Sequence, residues 1–303
     1  MTDLSAPSRS HRPYLGILFM CLACTLFPIM NGLVKFLSAG YQPEQIVWAR
    51  TTSHLLFIVL LFGPRMGASI FRTNQLGSQI WRSCLLLGST FLFFSAIAFV
   101  PIANAASVSF TAPLVVVLLA WPMLGERITL PRVAAVLVGF GGVLIVIRPG
   151  SEVFHWASLM ILGSATFYAV YQVLTRKVAG KDHPETSALY SALVGTLVMS
   201  AIVPFAWKTP DNMRDVVLLV SLGVLGGLGH YCVAKAMTYA AANFVSPFNY
   251  WQMVGSVAVG YLMFAEIPDF YTWVGAALII GAGLYVGWQT NREQRRAAKA
   301  AIA

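Results

Sequence analysis

Charged side chains are scarce in this sequence. Of 303 residues, 10% are Asp, Glu, Lys or Arg, where a soluble domain carries about twice that share. The shortage is sharpest for acids at depth. All eleven carboxylates (Asp3, Glu44, Glu126, Glu152, Asp182, Glu185, Asp211, Asp215, Glu266, Asp269, Glu293) fall in loops, tails or at helix ends. A carboxylate proton relay, or a cargo of lipophilic cations, ordinarily needs an acid within the membrane, so both are disfavoured. Cysteine is sparse as well. Cys21, Cys24, Cys84 and Cys232 all lie in apolar runs, and Cys21 and Cys24 have no further ligand nearby. They read as packing, with no metal site, redox site or cofactor. Long polar stretches are missing too: the longest break, about Gly63 to Ile80, cannot hold a separate catalytic domain.

What fills the chain instead is oil. Hydrophobic residues make up 58%, and mean hydropathy is +0.73. Runs of about 18 or more apolar residues predict an all-α, polytopic membrane protein of ten helices. They lie at roughly 14–36, 44–63, 80–100, 103–124, 131–147, 155–176, 186–206, 215–239, 243–265 and 270–288, and are called segments 1 to 10. Segment 1 is too long for a signal peptide and lacks a small-residue cleavage site. The net charge of +9 does not point to nucleic acid, because the positive charges are sorted by side. With the N-terminus inside, fifteen of the 20 Lys and Arg, Arg82 among them, fall on the cytoplasmic side. Lys35, Arg148, Lys208 and Arg214 fall on the other, and Arg50 lies within segment 2. The positive-inside rule then places both termini in the cytoplasm.

Shifted by 141 residues, the sequence partly matches itself: Phe27 on Tyr168, Asn31 on Gln172, Lys35 on Arg176 and Pro43-Glu44 on Pro184-Glu185. At a shift of 140, Glu126 falls on Glu266. Five helices per unit is an odd number, so the second unit enters the membrane from the opposite side. Two inverted five-helix repeats, 14–147 and 155–288, are therefore expected between a cytoplasmic tail of residues 1–13 and a basic cytoplasmic tail of residues 289–303. Such repeats characterise secondary transporters with a site near the midplane.

Polar side chains in lipid must find protein or water, so their positions mark the protein interior. In segment 9, Asn243, Ser246, Asn249, Gln252 and Ser256 follow at steps of three or four residues. Asn104, Ser107 and Thr111 do so in segment 4, and Ser164, Tyr168, Tyr171, Gln172 and Thr175 in segment 6, with Asn31 at the matching place in segment 1. Single hydroxyls more often glue helices, at ~0.6 kcal/mol each. Amides and polar-edged aromatics in corresponding helices read instead as a cavity wall, with Asn249, Tyr250, Trp251 and Gln252 its densest stretch. Arg50 is a cation for a substrate carboxylate or a cap on loop carbonyls, and His54 and His230 are the internal groups that titrate near neutral pH. Pro28, Pro113 and Pro247 sit within helices and permit kinks or hinges.

The stretch FFSAIAFVPIANAASVSFTAPLVVVLLAWPMLGERITLPRVAAVLVGFGGVLIVIRPG resembles the first-repeat signature of ten-helix exporters of the drug/metabolite transporter superfamily. HYCVAKAMTYAAANFVSPFNYWQMVGSVAVGYLMFAEIPDFYTWVGAALIIGAGLYVG resembles its companion. The resemblance covers nearly the whole chain, including Glu126 in LGERIT, Glu266 in FAEIPD and Arg50 in VWARTTS. It implies a central cavity, peripheral segments 5 and 10, and rocking of the two repeats. It also implies structural roles for Glu126 and Glu266, capping or pairing across the halves. It leaves the substrate open.

Together these features predict an integral protein of the bacterial inner membrane, not an enzyme. It is expected to be a secondary transporter, most simply an exporter, of amino acids or similar small zwitterionic metabolites. An organic-anion or nucleotide-conjugate exchanger is the alternative, and a channel or membrane-embedded enzyme is the alternative class. A small molecule and the bilayer are the expected partners, with no nucleic acid and no obligate protein partner.

Overall fold

In a computed structural model the described residues are 13–124, 129–152, 154–178, 181–239 and 245–300, and they form no strand. The helices are α1 (Pro13–Leu37), α2 (Pro43–Met66), α3 (Leu76–Ile97), α4 (Ile102–Ser109), α5 (Ala112–Leu124), α6 (Leu130–Ile147), α7 (Ala157–Val178), α8 (Pro184–Ile202), α9 (Met213–Tyr239), α10 (Trp251–Phe264) and α11 (Phe270–Ala300). Nine spans among the described residues are long and apolar enough to cross a membrane. Segment 9 is not among them: its α-helix, Trp251–Phe264, begins only after a 3-10 turn, and residues 240–244 lie outside the described ranges.

Local chemistry sets the ends. The matched Pro-Glu pairs both open helices, α2 with Pro43 and Glu44 and α8 with Pro184 and Glu185. Proline is tolerated at a first helical position, and an acid there complements the helix dipole. At the other end of α10, Ala265 adopts φ 53°. Its N–H returns to the Tyr261 carbonyl at 3.0 Å, and that of Glu266 to the Gly260 carbonyl at 3.0 Å. This left-handed closure turns the Glu266 side chain back towards α4.

Two expected helices are broken. Segment 4 divides at Phe110-Thr111 into α4 and α5, and Pro113 lies in the first turn of α5. Proline there gives up no hydrogen bond that a helix start would have made, so the expected mid-helix kink is a helix start. Within segment 9 a 3-10 turn over Ser246–Tyr250, containing Pro247, precedes α10. At the 140-residue shift, Phe110 and Thr111 fall on Tyr250 and Trp251. The two interruptions occupy matching positions, and the Phe110 and Tyr250 rings meet edge to face at 5.1 Å. Pro28 remains inside α1. Having no N–H, it leaves the Cys24 carbonyl without its helical donor. A side-chain carbon at Gly255 of α10 would lie 3.2 Å from that oxygen and 2.9 Å from the proline ring.

The most extensive helix contacts are α1 with α9, α3 with α7 and α6 with α11. In segment numbers these are 1 with 8, 3 with 6 and 5 with 10. Exchanging each segment for the one five places away carries this set onto itself. The tail expected after residue 288 continues α11 as helix to Ala300.

Candidate substrate cavity

Glycines bring α2 and α9 into backbone contact. A side-chain carbon at Gly223 would fall 2.1 Å from Ser53 Oγ, 2.3 Å from the His54 nitrogen and 2.6 Å from the Arg50 carbonyl. Only a glycine lets the helices approach this closely. One turn on, the α9 backbone at Gly226 lies against the Arg50 guanidinium, and Gly227 against His54 and Phe57. This contact aims Arg50 and His54 of α2 and His230 of α9 into one space.

That space is a narrow cavity lined by Arg50, Thr51, His54, Leu86, Leu87, Thr90, Ser191, Ala192 and His230. The two imidazoles stack with centroids 5.9 Å apart and planes 11° from parallel. Phe27 meets His230 edge on at 5.2 Å, and Arg50 lies over the Phe94 ring at 5.7 Å. Arg50 is 8% exposed, and among the described residues its Nε has no hydrogen-bond partner. None of the ion pairs among the described residues involves it. A buried guanidinium is ordinarily paired, so Arg50 is a cation awaiting an acceptor.

Beyond Ser191 lies a second cation that the sequence reading counted only as an interface charge. Arg82, 2% exposed, donates to Gln79 Oε1 (3.0 Å), Thr175 Oγ1 (3.2 Å), Ser191 Oγ (2.7 Å) and the Ser187 carbonyl. Its guanidinium also covers the Tyr171 ring at 5.1 Å. Gln79 donates onward to Asp182 at 2.8 Å. Arg82 is thereby committed to holding α3 against α7 and α8, and Arg50 remains uncommitted. The signal available was Gln79 one turn before Arg82; the Asp182 loop that completes the network is more than a hundred residues away in sequence.

The structure sorts the expected site residues. Arg50, His54 and His230 meet in the cavity. Tyr168 and Tyr171 stack on each other at 5.7 Å, Tyr171 beneath Arg82 and Tyr168 36% exposed. Asn31 is buried in α1, and Gln172 and Gln252 are half-buried. Ser107 and Thr111 do not line the cavity: both are fully buried and donate to α4, Ser107 at the Ala103 carbonyl and Thr111, from the break, at the Val108 carbonyl. The run from Asn249 to Gln252 spans two elements: Asn249 and Tyr250 end the 3-10 turn, and Trp251 and Gln252 begin α10. Tyr250 points at Gly283 of α11, whereas Trp251 is 47% exposed and donates to Thr25 Oγ1 at 3.2 Å. Asn249 faces Cys24 of α1, its Oδ1 3.8 Å from Sγ. Asn243, Glu126 and the side chain of Ser246 lie outside the described residues.

Glu266 joins the halves away from the cavity. It pairs with Lys35 of α1 and accepts the Ile102 N–H at 2.9 Å, capping α4, while Lys35 also donates to the Val100 carbonyl at 2.7 Å. A carboxylate at a helix N-terminus satisfies an orphan donor and the helix dipole together.

Known proteins resemble this chain along most of its length. The profile of the EamA-like transporter family matches residues 14–148 and again 155–288. The chain is 29% identical to a riboflavin transporter of Vibrio cholerae over 292 residues, covering 95% of this chain and 98% of that one. It is 30% identical to a pseudopaline exporter of Pseudomonas aeruginosa over 273 residues, covering 88% and 94%. An S-adenosylmethionine uptake transporter of Rickettsia conorii is 28% identical over 239 residues, covering 79% and 81%. A solved crystal structure, 20% identical, superposes with a TM-score of 0.62 over 95% of this chain and 99% of that one, which supports the fold alone. Two family matches in one chain, on a bundle of apolar helices around an unpaired cation, lead to one assignment: this protein belongs to the EamA-like transporter family and is an integral membrane secondary transporter rather than an enzyme.

Proposed function

We propose that the transporter moves small metabolites combining a flat heteroaromatic ring with a carboxylate or another strong acceptor. Arg50 grips the acceptor, and the rings of Phe27, His54 and His230 border the flat part. The observation that carries this reading is the buried, unpaired Arg50 in a cavity edged by stacked rings. Amino acids as a general cargo carry less weight than they do on the sequence alone. None of the three relatives above is named for one, and riboflavin and S-adenosylmethionine both contain a flat nitrogen heterocycle. A phosphate-rich exchanger is less favoured, since Arg82 is already spent on protein acceptors.

In this reading the halves 14–147 and 155–288 are inverted repeats that rock about the cavity in the bacterial inner membrane, with both termini cytoplasmic. The matched interruptions of segments 4 and 9 support a two-fold relation.

Counterflow in proteoliposomes tests the proposal. Vesicles preloaded with riboflavin, S-adenosylmethionine or tryptophan should draw in the matching labelled compound with saturation. Arg50→Ala should cut the rate about ten- to hundredfold, the weight of losing a charged hydrogen bond. Exchange that is unchanged in Arg50→Ala would place the cargo elsewhere.

A further inference from the structure

We infer that His54 and His230 form a proton site that couples cargo to protons, one proton entering with each bound carboxylate. The inference rests on the Arg50 cavity being the cargo site.

The two imidazoles come from different halves of the chain and stack on one another inside that cavity. Among the described residues neither ring has a hydrogen-bonding protein partner. A neutral imidazole carries one donor and one acceptor, so these nitrogens are left to water, cargo or a proton. The surroundings decide what charge the pair can hold. Arg50 on α2 acts on both rings, with Tyr171 of α7 beside Arg50. The other facing groups do not titrate: Phe27 from α1, Leu86, Leu87 and Thr90 from α3, and Ser191 and Ala192 from α8. No acid joins them among the described residues.

An empty cavity therefore holds one fixed positive charge beside a titratable pair, and a second positive charge is opposed at low dielectric. A carboxylate on Arg50 cancels that charge and makes room for a proton on an imidazole. Linkage makes the effect reciprocal: a proton on the pair strengthens carboxylate binding by the same factor. Imidazole is the side chain suited to exchange that proton near neutral pH. The proton enters from water onto a ring nitrogen and leaves from it, with no other bond made or broken. Because each half supplies one ring, rocking the halves apart unstacks the pair, so proton and cargo are released on the same side. The coupling is symport.

Reconstituted wild type would be given tryptophan, S-adenosylmethionine and riboflavin in separate batches, with voltage clamped by potassium and valinomycin. Counterflow at equal pH is compared with uptake driven by a one-unit pH gradient, acid outside. The expected result is gradient-driven accumulation of tryptophan or S-adenosylmethionine approaching about tenfold, the limit for one proton per pH unit. Riboflavin, which has no carboxylate, should show none. In His54→Gln/His230→Gln the ratio of gradient-driven to counterflow uptake should fall to about one, whatever rate remains. Should that variant fail to fold, wild type in detergent should still take up protons from weakly buffered solution when tryptophan or S-adenosylmethionine is added. Counterflow without any gradient response or proton uptake overturns the inference and leaves the cavity reading standing. Counterflow of riboflavin alone overturns the carboxylate linkage, and no counterflow of any probe overturns the cavity reading and this inference together.

Discussion

At the scale of single residues, Arg50 and Arg82 show how identical side chains come to differ in role. Both are buried within helices. Arg82 is spent on four protein acceptors, so replacing it should loosen the bundle: Arg82→Ala leaves buried acceptors unsatisfied, each costing about 1–3 kcal/mol. Its melting temperature in detergent should fall well below that of wild type. Arg50 has little structure to lose, so Arg50→Lys should leave the melting temperature within a few degrees. Transport should still drop about tenfold or more, because lysine cannot reproduce a planar fork. Equal destabilisation by the two substitutions would contradict this division. Arg50, His54 and His230 were legible in the sequence, since charge or imidazole inside an apolar run stands out. The idle state of Arg50 and the committed state of Arg82 were not, because both depend on side chains contributed from far along the chain.

Helices and their contacts carry the next layer. Ten apolar runs were legible by length and hydropathy, and the matched Pro-Glu pairs marked two equivalent helix starts. The interruptions in segments 4 and 9 were not. An apolar run reads the same whether or not its backbone pauses, and proline alone does not distinguish a kink from a start. Helical spacing reads the stripe through Asn249, Gln252 and Ser256 as one continuous helix, whereas Asn249 stands in a 3-10 turn and Gln252 and Ser256 in α10. The glycine contact between α2 and α9 gives a prediction at this scale. Gly223→Ala places a carbon 2.1 Å from Ser53 Oγ and 2.6 Å from a backbone oxygen. The helices must part, at a cost of about 1–3 kcal/mol. Transport should fall although position 223 lies outside the cavity lining. Gly281→Ala, which meets nothing within 4 Å, is the matched control and should change neither unfolding nor counterflow.

Across the whole molecule the halves are tied at both ends of the bundle. At one end Glu266 binds Lys35 and the start of α4. At the other, Asp182 accepts from Thr73, the Asn74 N–H and Gln79, the last leading to Arg82. Under the rocking proposed above each tie weakens in turn, so Glu266→Gln should favour states open at its own end. A cysteine placed at Val100 should then react faster with a membrane-impermeant thiol reagent than in the Glu266 parent. The Asp182 tie should also titrate. Burial pushes its carboxyl up, but hydrogen bonds from Thr73, Gln79 and Asn74 outweigh that and hold it below the ordinary 3.8. A lowered folded value means stabilisation that is complete above 3.8 and lost as pH falls through the lowered value. Wild type should therefore lose melting temperature in that acid window more steeply than Asp182→Asn, which starts lower at neutral pH.

The meeting of Phe110 and Tyr250, each at the break of its own segment, has a mechanical consequence. Under the rocking proposed above, two breaks that bear on each other would work as a single fulcrum. In that reading the molecule is a seesaw rather than a corridor with two doors: lowering one end raises the other. Trimming that bearing, as in Phe110→Ala, should slow opening towards both sides of the membrane equally and leave the direction of net flow to the gradients alone.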